Sequence, residues 1–356
     1  METLDLSQNN LNGTLSVSIG GLTELEDLNL SYNALEGDVS EIHFENFAKL
    51  SGFYASGNKI RLRVSPNWKP PPHLREMDLG CWSIGQFLHW VQSLKDFWYL
   101  NLSHSGIGSP IPIWFWDLSS NIYYINISRN QISGVIPDKP TTLTRIDGFD
   151  KIWVDLSSNN FQGPLPNIFS NVRALYLSNN SFSGPISKFF CYKMHEPSNL
   201  RILDLGENLL SGEMPDCWMK WKSLEFINLN NNKLSGKIPW SIGTLTMLRS
   251  LHLRNNSLSG KIPLSLRNCT KLSTLDLGEN ELVGKIPTWI GETFPNMVIF
   301  SLRTNKFDGH IRKNLCQMTS LYILDLADNN LSSIIPRCLN NFSAMASKND
   351  SIGILP

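Results

Sequence analysis

The chain has 356 residues, 31 basic against 31 acidic side chains, and six cysteines. The balanced charge excludes a broad electrostatic attraction to nucleic acid or anionic membrane. No apolar run reaches the ~18 residues that cross a bilayer, and the start, Met1-Glu2-Thr3-Leu4-Asp5, has neither the basic flank nor the apolar stretch of a signal peptide. Leu fills 50 positions and Asn 36. Asn competes with the backbone in helix and strand interiors, so a chain this rich in it must use it structurally and repeatedly.

Self-similarity supplies the use. Leu4-Asp5-Leu6-Ser7-Gln8-Asn9 recurs as Leu28 to Asn33, Ile125 to Asn130, Val154 to Asn159, Leu175 to Asn180, Leu203 to Asn208 and Ile227 to Asn232. It continues as Leu251 to Asn256, Leu275 to Asn280, Phe300 to Asn305 and Leu324 to Asn329. Degenerate copies at Phe53 to Asn58, Met77 to Trp82 and Leu100 to Ser105 bring the number to fourteen. From Asn208 to Asn329 the Asn recurs at steps of 24, 24, 24, 25 and 24. Leu-x-Leu alternation predicts a short strand with one apolar face. Such a strand cannot bury that face alone, so the repeats stack in parallel about 4.8 Å apart around a continuous core. The Asn falls where the chain leaves the strand, and its amide can satisfy the backbone groups freed there.

A second element follows, as Gly134-Val135-Ile136-Pro137, Gly163-Pro164-Leu165-Pro166, Gly212-Glu213-Met214-Pro215, Gly236-Lys237-Ile238-Pro239, Gly260-Lys261-Ile262-Pro263 and Gly284-Lys285-Ile286-Pro287. Gly permits a sharp turn and Pro sets an extended segment. The unit Leu-x-x-Leu-x-Leu-x-x-Asn-x-Leu-x-Gly-x-Ile-Pro resembles the plant extracellular leucine-rich repeat. That resemblance implies an α/β repeat solenoid, a right-handed plant-type horseshoe with a parallel β-sheet on its concave face and short second strands or 3-10 turns elsewhere. Residues 1–339 are expected to form about fourteen repeats without an N-terminal cap, and 340–356 the start of a non-repeat island or a disordered tail.

A narrower likeness lies in 62–124. It rests on Pro66, Asn67, Trp68 and Pro70-Pro71-Pro72, on Leu74 to Cys81, on Asp96 to Ser103, and on Ile111-Pro112-Ile113-Trp114-Phe115-Trp116. This stretch resembles plant receptor-like proteins of the kind that perceive fungal xylanase and other pathogen molecules. The resemblance implies a repeat ectodomain followed by one membrane helix and a short tail without a kinase. With Met1 inside a repeat and the pattern lost after Asn340, the chain is expected to be part of such an ectodomain, lacking its own signal peptide and anchor.

Cys191 lies 11 residues after Asn180 and Cys217 lies 9 after Asn208; Cys316 and Cys338 repeat these offsets after Asn305 and Asn329. Equivalent positions in adjacent repeats stack within disulfide reach, which predicts the bonds Cys191–Cys217 and Cys316–Cys338 and an oxidising compartment. Cys269 is expected to be a buried thiol, and Cys81 has no evident partner. Sequons stand at Asn12, Asn29, Asn101, Asn126, Asn179, Asn255, Asn268, Asn330, Asn341 and Asn349. Asn29, Asn101 and Asn126 fall between strand leucines, where a glycan would cover the sheet and leave only the strands from Val154 onward open.

The outward strand positions can vary without harm to the core, so they are the expected partner-binding surface. They carry Trp98, Tyr99, Tyr123, Tyr124, Trp153 and Tyr176, continued by Phe226 and Tyr322 with Arg249, His252, Arg254 and Arg303. Amphipathic rings are the usual interface anchors; packing of Trp98 against Tyr99 to cover the degenerate repeats is the plainer account. Asp5, Asp78, Asp155, Asp204, Asp276 and Asp325 could suggest paired catalytic carboxylates, but they recur once per repeat without a convergent partner. No G-x-S-x-G, H-E-x-x-H, C-x-x-C or phosphate-loop motif is present, so neither catalysis nor a cofactor or metal is expected. The expected function is ligand recognition by a plant cell-surface receptor-like protein, in pathogen perception, at the extracellular face of the plasma membrane. A protein or peptide would bind the concave face, and a co-receptor kinase would join through regions absent here. The alternatives are a soluble inhibitor of a microbial wall-degrading enzyme and a truncated product that does not signal.

Overall fold

A computed structural model describes residues 2–94, 96–117, 122–138, 152–166, 172–191 and 198–346. The chain forms two compact units, Met1–Phe182 and Ser183–Pro356. The first contains eight parallel three-residue strands in chain order: Thr3–Asp5, Asp27–Asn29, Gly52–Tyr54, Glu76–Asp78, Tyr99–Asn101, Tyr124–Asn126, Trp153–Asp155 and Ala174–Tyr176. The second contains six: Ile202–Asp204, Phe226–Asn228, Ser250–His252, Thr274–Asp276, Ile299–Ser301 and Ile323–Asp325. Each unit is a leucine-rich-repeat solenoid, with 3-10 turns or single helical turns opposite its strands. The fourteen strands are those read from the sequence.

The middle residue of nearly every strand is apolar and buried, as at Leu28, Phe53, Met77, Leu100, Ile125 and Leu251. In the repeat beginning at Leu272 the whole apolar set Leu272, Leu275, Leu277, Leu282 and Ile286 is buried. Each such side chain contributes roughly 1.5–3 kcal/mol only because the next coil covers it. The disulfides Cys191–Cys217 and Cys316–Cys338 join adjacent coils, with Cα atoms 5.3 and 5.8 Å apart. Around the first, Phe190 packs 4.2 Å from Trp218, and the Trp221 indole N–H donates to Phe190 O at 3.0 Å. Cys269 is buried and unpaired, its thiol pushed up to about 12 by burial, whereas Cys81 is exposed.

The turn out of each strand is held by the repeated Asn. The Asn33 amide N–H₂ donates to Leu30 O in its own coil at 3.1 Å and to Leu6 O in the preceding coil at 2.9 Å. Its Oδ1 accepts the Leu11 N–H of that preceding coil at 3.0 Å. Asn58, Asn130, Asn159, Asn180, Asn232, Asn256, Asn280, Asn305 and Asn329 repeat this pattern within their units. In the degenerate repeats other donors take over. Trp82 occupies the Asn position and its indole N–H reaches Ala55 O at 2.8 Å, and the Ser105 hydroxyl reaches Leu79 O at 3.1 Å. The residue before this position has a positive φ in every repeat, and it is almost never Gly: Tyr32, His104, Arg129, Glu207, Glu279 and Thr304 all lie at 51–55°. Such backbone costs about 1–2 kcal/mol per non-Gly residue, so the amide bonds must over-determine it.

A second set of strands runs along each unit. Asn12–Thr14, Ala34–Ser40 and Lys59–Arg63 form one parallel sheet, and Ser133–Val135 pairs with Asn160–Gly163 further on. In the second unit Leu209–Glu213, Lys233–Lys237, Ser257–Gly260, Glu281–Lys285, Lys306–Gly309 and Asn330–Leu331 pair successively. Among the described residues the repeats of Met77 and Leu100 contribute no second strand, only the isolated bridge of Ser83 to Arg61.

The amide network makes a quantitative prediction. Asn280→Ala leaves the buried Leu258 N–H without its acceptor and removes one of two amide donors from Leu253 O and Leu277 O, which keep those of Asn256 and Asn305. At ~1–3 kcal/mol for one buried unsatisfied group, a loss of about 2 kcal/mol is expected from urea unfolding. A loss below ~1 kcal/mol would show that the amide is dispensable.

Candidate ligand-binding surface

With the middle residue of each strand buried, the first and third project from the opposite, open face of the sheet. In the first unit the strand register lines up Asp27, Gly52, Glu76, Tyr99, Tyr124 and Trp153 as first-position neighbours. The third positions run Asn29, Tyr54, Asp78, Asn101, Asn126, Asp155 and Tyr176. Trp98 and Tyr123 stand one residue ahead of their strands.

The rings are mutually packed. Tyr99 and Tyr124 stack at 4.4 Å and 6°, and Trp153 stacks on Tyr176 at 5.0 Å. Tyr123 meets Trp98 at 6.2 Å and Tyr99 at 6.1 Å, edge-on or tilted. Tyr54 adds a further ring 6.4 Å from Tyr99, its hydroxyl donating to Glu76 Oε2 at 2.5 Å. Gly52 makes room for it, because a Cβ there would collide with the Tyr54 ring and Asp27 Oδ1. Arg75 lies 5.7 Å above the Trp98 ring. These rings are half-buried, with Trp153 the most exposed at 37%.

The platform is flanked by carboxylates. Partial burial, then repulsion from Glu76 and Glu26, holds the Asp27 carboxyl above its ordinary range. Burial likewise raises Asp78 against the hydrogen bonds that stabilise its anion, and lifts the Tyr54 and Tyr99 phenols well beyond the usual range. Each of the four is thus held above its ordinary value and is the more ready to keep its proton and donate it to a hydrogen-bond acceptor on a ligand.

The second unit is arranged differently. Arg249, Arg254 and Arg303, expected from the sequence as ligand contacts, each meet a carboxylate across a coil boundary. Arg249 and Arg201 share Glu225 at 3.6 and 3.1 Å, Arg254 meets Glu279 at 2.5 Å, and Arg303 reaches Asp325 and Asp328 at 3.5 Å. Solvent limits pairs of this kind to about 0–1 kcal/mol each, so each arginine stands on the surface with its charge matched by a neighbouring carboxylate. His252 bonds Ser250 Oγ at 2.7 Å, with its ring 5.5 Å from Phe226. Phe226 takes the first strand position whereas Tyr322 precedes its strand, so the two stand in different columns.

The repeated Asp has a local role. Asp5, Asp78, Asp155, Asp204, Asp276 and Asp325 each accept the N–H two residues on, from Ser7, Gly80, Ser157, Gly206, Gly278 and Ala327. Asn29, Asn101, Asn126 and Asn228 do the same in their coils. The column therefore closes turns. Among the described residues no group of three or more His, Cys, Asp or Glu could hold a metal ion, and no helix is long and apolar enough to cross a membrane.

Leucine-rich-repeat patterns match residues 1–60, 246–296, 152–172, 171–192, 199–221, 223–245 and 320–342, and the chain belongs to the leucine-rich-repeat family. It is similar to Receptor-like protein EIX2 of tomato (Solanum lycopersicum), 40% identical over 190 residues that cover 53% of this chain and 18% of that protein. It thus spans less than a fifth of that relative's length. Among solved structures it resembles the plant peptide hormone receptor RGFR1 in complex with RGF2, with a TM-score of 0.83 and 28% identity over 97% of this chain and 54% of that one. It also resembles the leucine-rich-repeat ectodomain of the plant membrane receptor kinase GASSHO1/SCHENGEN3 from Arabidopsis thaliana in complex with CASPARIAN STRIP INTEGRITY FACTOR 2. There the TM-score is 0.82 and the identity 27%, over 97% of this chain and 40% of that one.

Two measurements follow from this surface. Burial holds His252 below its ordinary value of 6.5, the larger effect, against the pull of Asp276. Below pH 6.5 the unfolded chain takes up a proton that the folded chain resists, so stability falls as pH drops toward the folded value. His252→Gln should flatten this acid-side loss in unfolding titrations between about pH 6.5 and 5; an unchanged slope would assign it elsewhere. The second concerns glycans. The Asn29 and Asn101 amide nitrogens donate to Asp5 and Asp78 at 3.2 and 2.8 Å, and that of Asn126 to the Tyr124 hydroxyl at 3.4 Å. Asn12, Asn179, Asn255, Asn268, Asn330 and Asn341 are exposed, and Asn349 lies outside the described residues. Glycopeptide mapping of secreted protein should find Asn268 occupied and Asn101 and Asn126 largely empty; full occupancy of the latter two would close the aromatic face.

Proposed function

We propose that the chain is a ligand-recognition part of a plant cell-surface receptor-like protein that perceives a pathogen-derived protein or peptide. The observation that carries this reading is the packed aromatic surface of Tyr54, Trp98, Tyr99, Tyr123 and Tyr124 on the open sheet face, beside half-buried carboxylates. Amphipathic rings already ordered by one another lose little entropy on binding. Trp153 and Tyr176 extend the surface in the same unit. The likeness to peptide-bound plant receptors supports a peptide or protein ligand. The two disulfides support an oxidising, extracellular setting. Signalling would pass to a co-receptor kinase through regions beyond this chain.

A fungal xylanase, the ligand class implied by the resemblance over 62–124, is the first probe. Tyr99→Ala with Tyr124→Ala should weaken its binding to the secreted chain by tenfold or more. Arg303→Ala, at an ion-paired site in the other unit, should leave it within twofold. Unaltered xylanase affinity in a folded Tyr99/Tyr124 double variant would overturn the assignment of the ligand to this face.

A further inference from the structure

Away from the open face, the second-unit strands Lys233–Lys237, Ser257–Gly260, Glu281–Lys285 and Lys306–Gly309 carry an unusual row of cations. Lys237, Lys261 and Lys285 occupy the same position in successive coils, each between the turn Gly and the Ile-Pro pair, and all three are exposed. Their stems are laid over the glycine of the following coil. A Cβ on Gly260 would sit 3.0 Å from Lys237 Cγ, one on Gly284 would sit 3.3 Å from Lys261 Cγ, and one on Gly309 would sit 3.4 Å from Lys285 Cγ. With φ of +80°, +95° and +80°, these positions favour glycine twice over, for backbone and for space. Neighbouring strands are offset so that Lys237 faces Ser259 and Lys285 faces Asp308; the three lysines therefore form a diagonal file, one cation per coil, with backbones roughly 8 Å apart from one strand across and two residues along.

Among the described residues no carboxylate comes within ion-pair distance of any of the three, although Glu213 precedes them by one coil and Asp308 opposes Lys285 in register. Lys306 and Glu281, by contrast, neutralise each other at 3.0 Å. Ser235 and Ser259 stand two residues before Lys237 and Lys261 on the same strands or their ends. Trp240, 67% exposed, and Leu264 follow three residues after. The row therefore offers one cation per coil, hydroxyls on one flank and exposed apolar groups on the other.

We propose that Lys237, Lys261 and Lys285 form a binding track for a linear acidic polysaccharide with one carboxylate per sugar. The even, one-dimensional spacing fits a polymer of evenly spaced charges, and the Trp240 indole suits the apolar face of a sugar ring. A bilayer would draw on a broad basic cluster, and the zero net charge offers nucleic acid no general attraction. This site lies in the second unit, away from that unit's own open sheet face, whereas the aromatic surface belongs to the first, and its test is independent of that reading.

The secreted chain should be titrated with a defined linear oligouronate, with its methyl ester, and with phosphatidylserine vesicles, at several salt concentrations. The oligouronate should bind, more weakly as salt rises, and the uncharged ester should not. Replacing all three lysines by Gln should weaken oligouronate binding at least tenfold, with replacement by Arg retaining it. Lys261→Gln alone should weaken it about two- to threefold, which keeps the test decisive if the triple variant misfolds. Equal binding of the ester, unchanged affinity in the folded triple Gln variant or in Lys261→Gln, tighter binding to vesicles, or no oligouronate binding at low salt would each overturn the proposal.

Discussion

A side-chain amide placed at the exit of each strand makes the rest of the molecule possible. A three-residue strand gives little cooperative hydrogen bonding of its own, and the backbone beyond it adopts a positive φ that most of the residues there disfavour. The Asn meets both difficulties at once. It bonds carbonyls of its own and the preceding coil and accepts an N–H from that preceding coil, so the turn and the stacking are fixed by the same group. Asn is the one side chain with a donor pair and an acceptor at this short length, which explains why so many positions are given to it.

Because core leucines and turn amides carry the scaffold, the outward strand positions are released from structural duty, and the two units use that freedom differently. In the first, rings pack on rings and burial holds the Asp27 and Asp78 carboxyls above their ordinary values. In the second, arginines and acids cancel across coil boundaries. The same backbone thus presents an amphipathic, lightly acidic surface in one place and a neutralised one in the other.

The strands, their number and the turn Asn were legible in the sequence because Leu-x-Leu and Asn recur with almost constant spacing. The cysteine pairs were legible for the same reason, since equal offsets in adjacent coils become neighbours. Less could be read where the repeat degrades. Trp82 and Ser105 look like losses of the motif, yet each supplies the donor that the Asn would have supplied. Tyr54 belongs to the aromatic surface but escaped notice in a degenerate copy. The positive φ at Tyr32 and Glu279 leaves no mark, because nothing about those residue types announces it. The pairing of Arg254 with Glu279 could have been found by comparing neighbouring positions across coils.

The direction of the amide bonds has a consequence for how the protein is made. Asn58 completes the coil of Leu30 and Leu35, and Asn280 that of Leu253 and Leu258. Each coil is therefore closed by a residue encoded in the next one. On a translating ribosome the newest coil always emerges unfinished, and its turn locks only when the following Asn has been synthesised and extruded. Growth proceeds from the N-terminal side with a lag of one repeat, so a translational pause just before an Asn would hold one apolar coil open to chaperones.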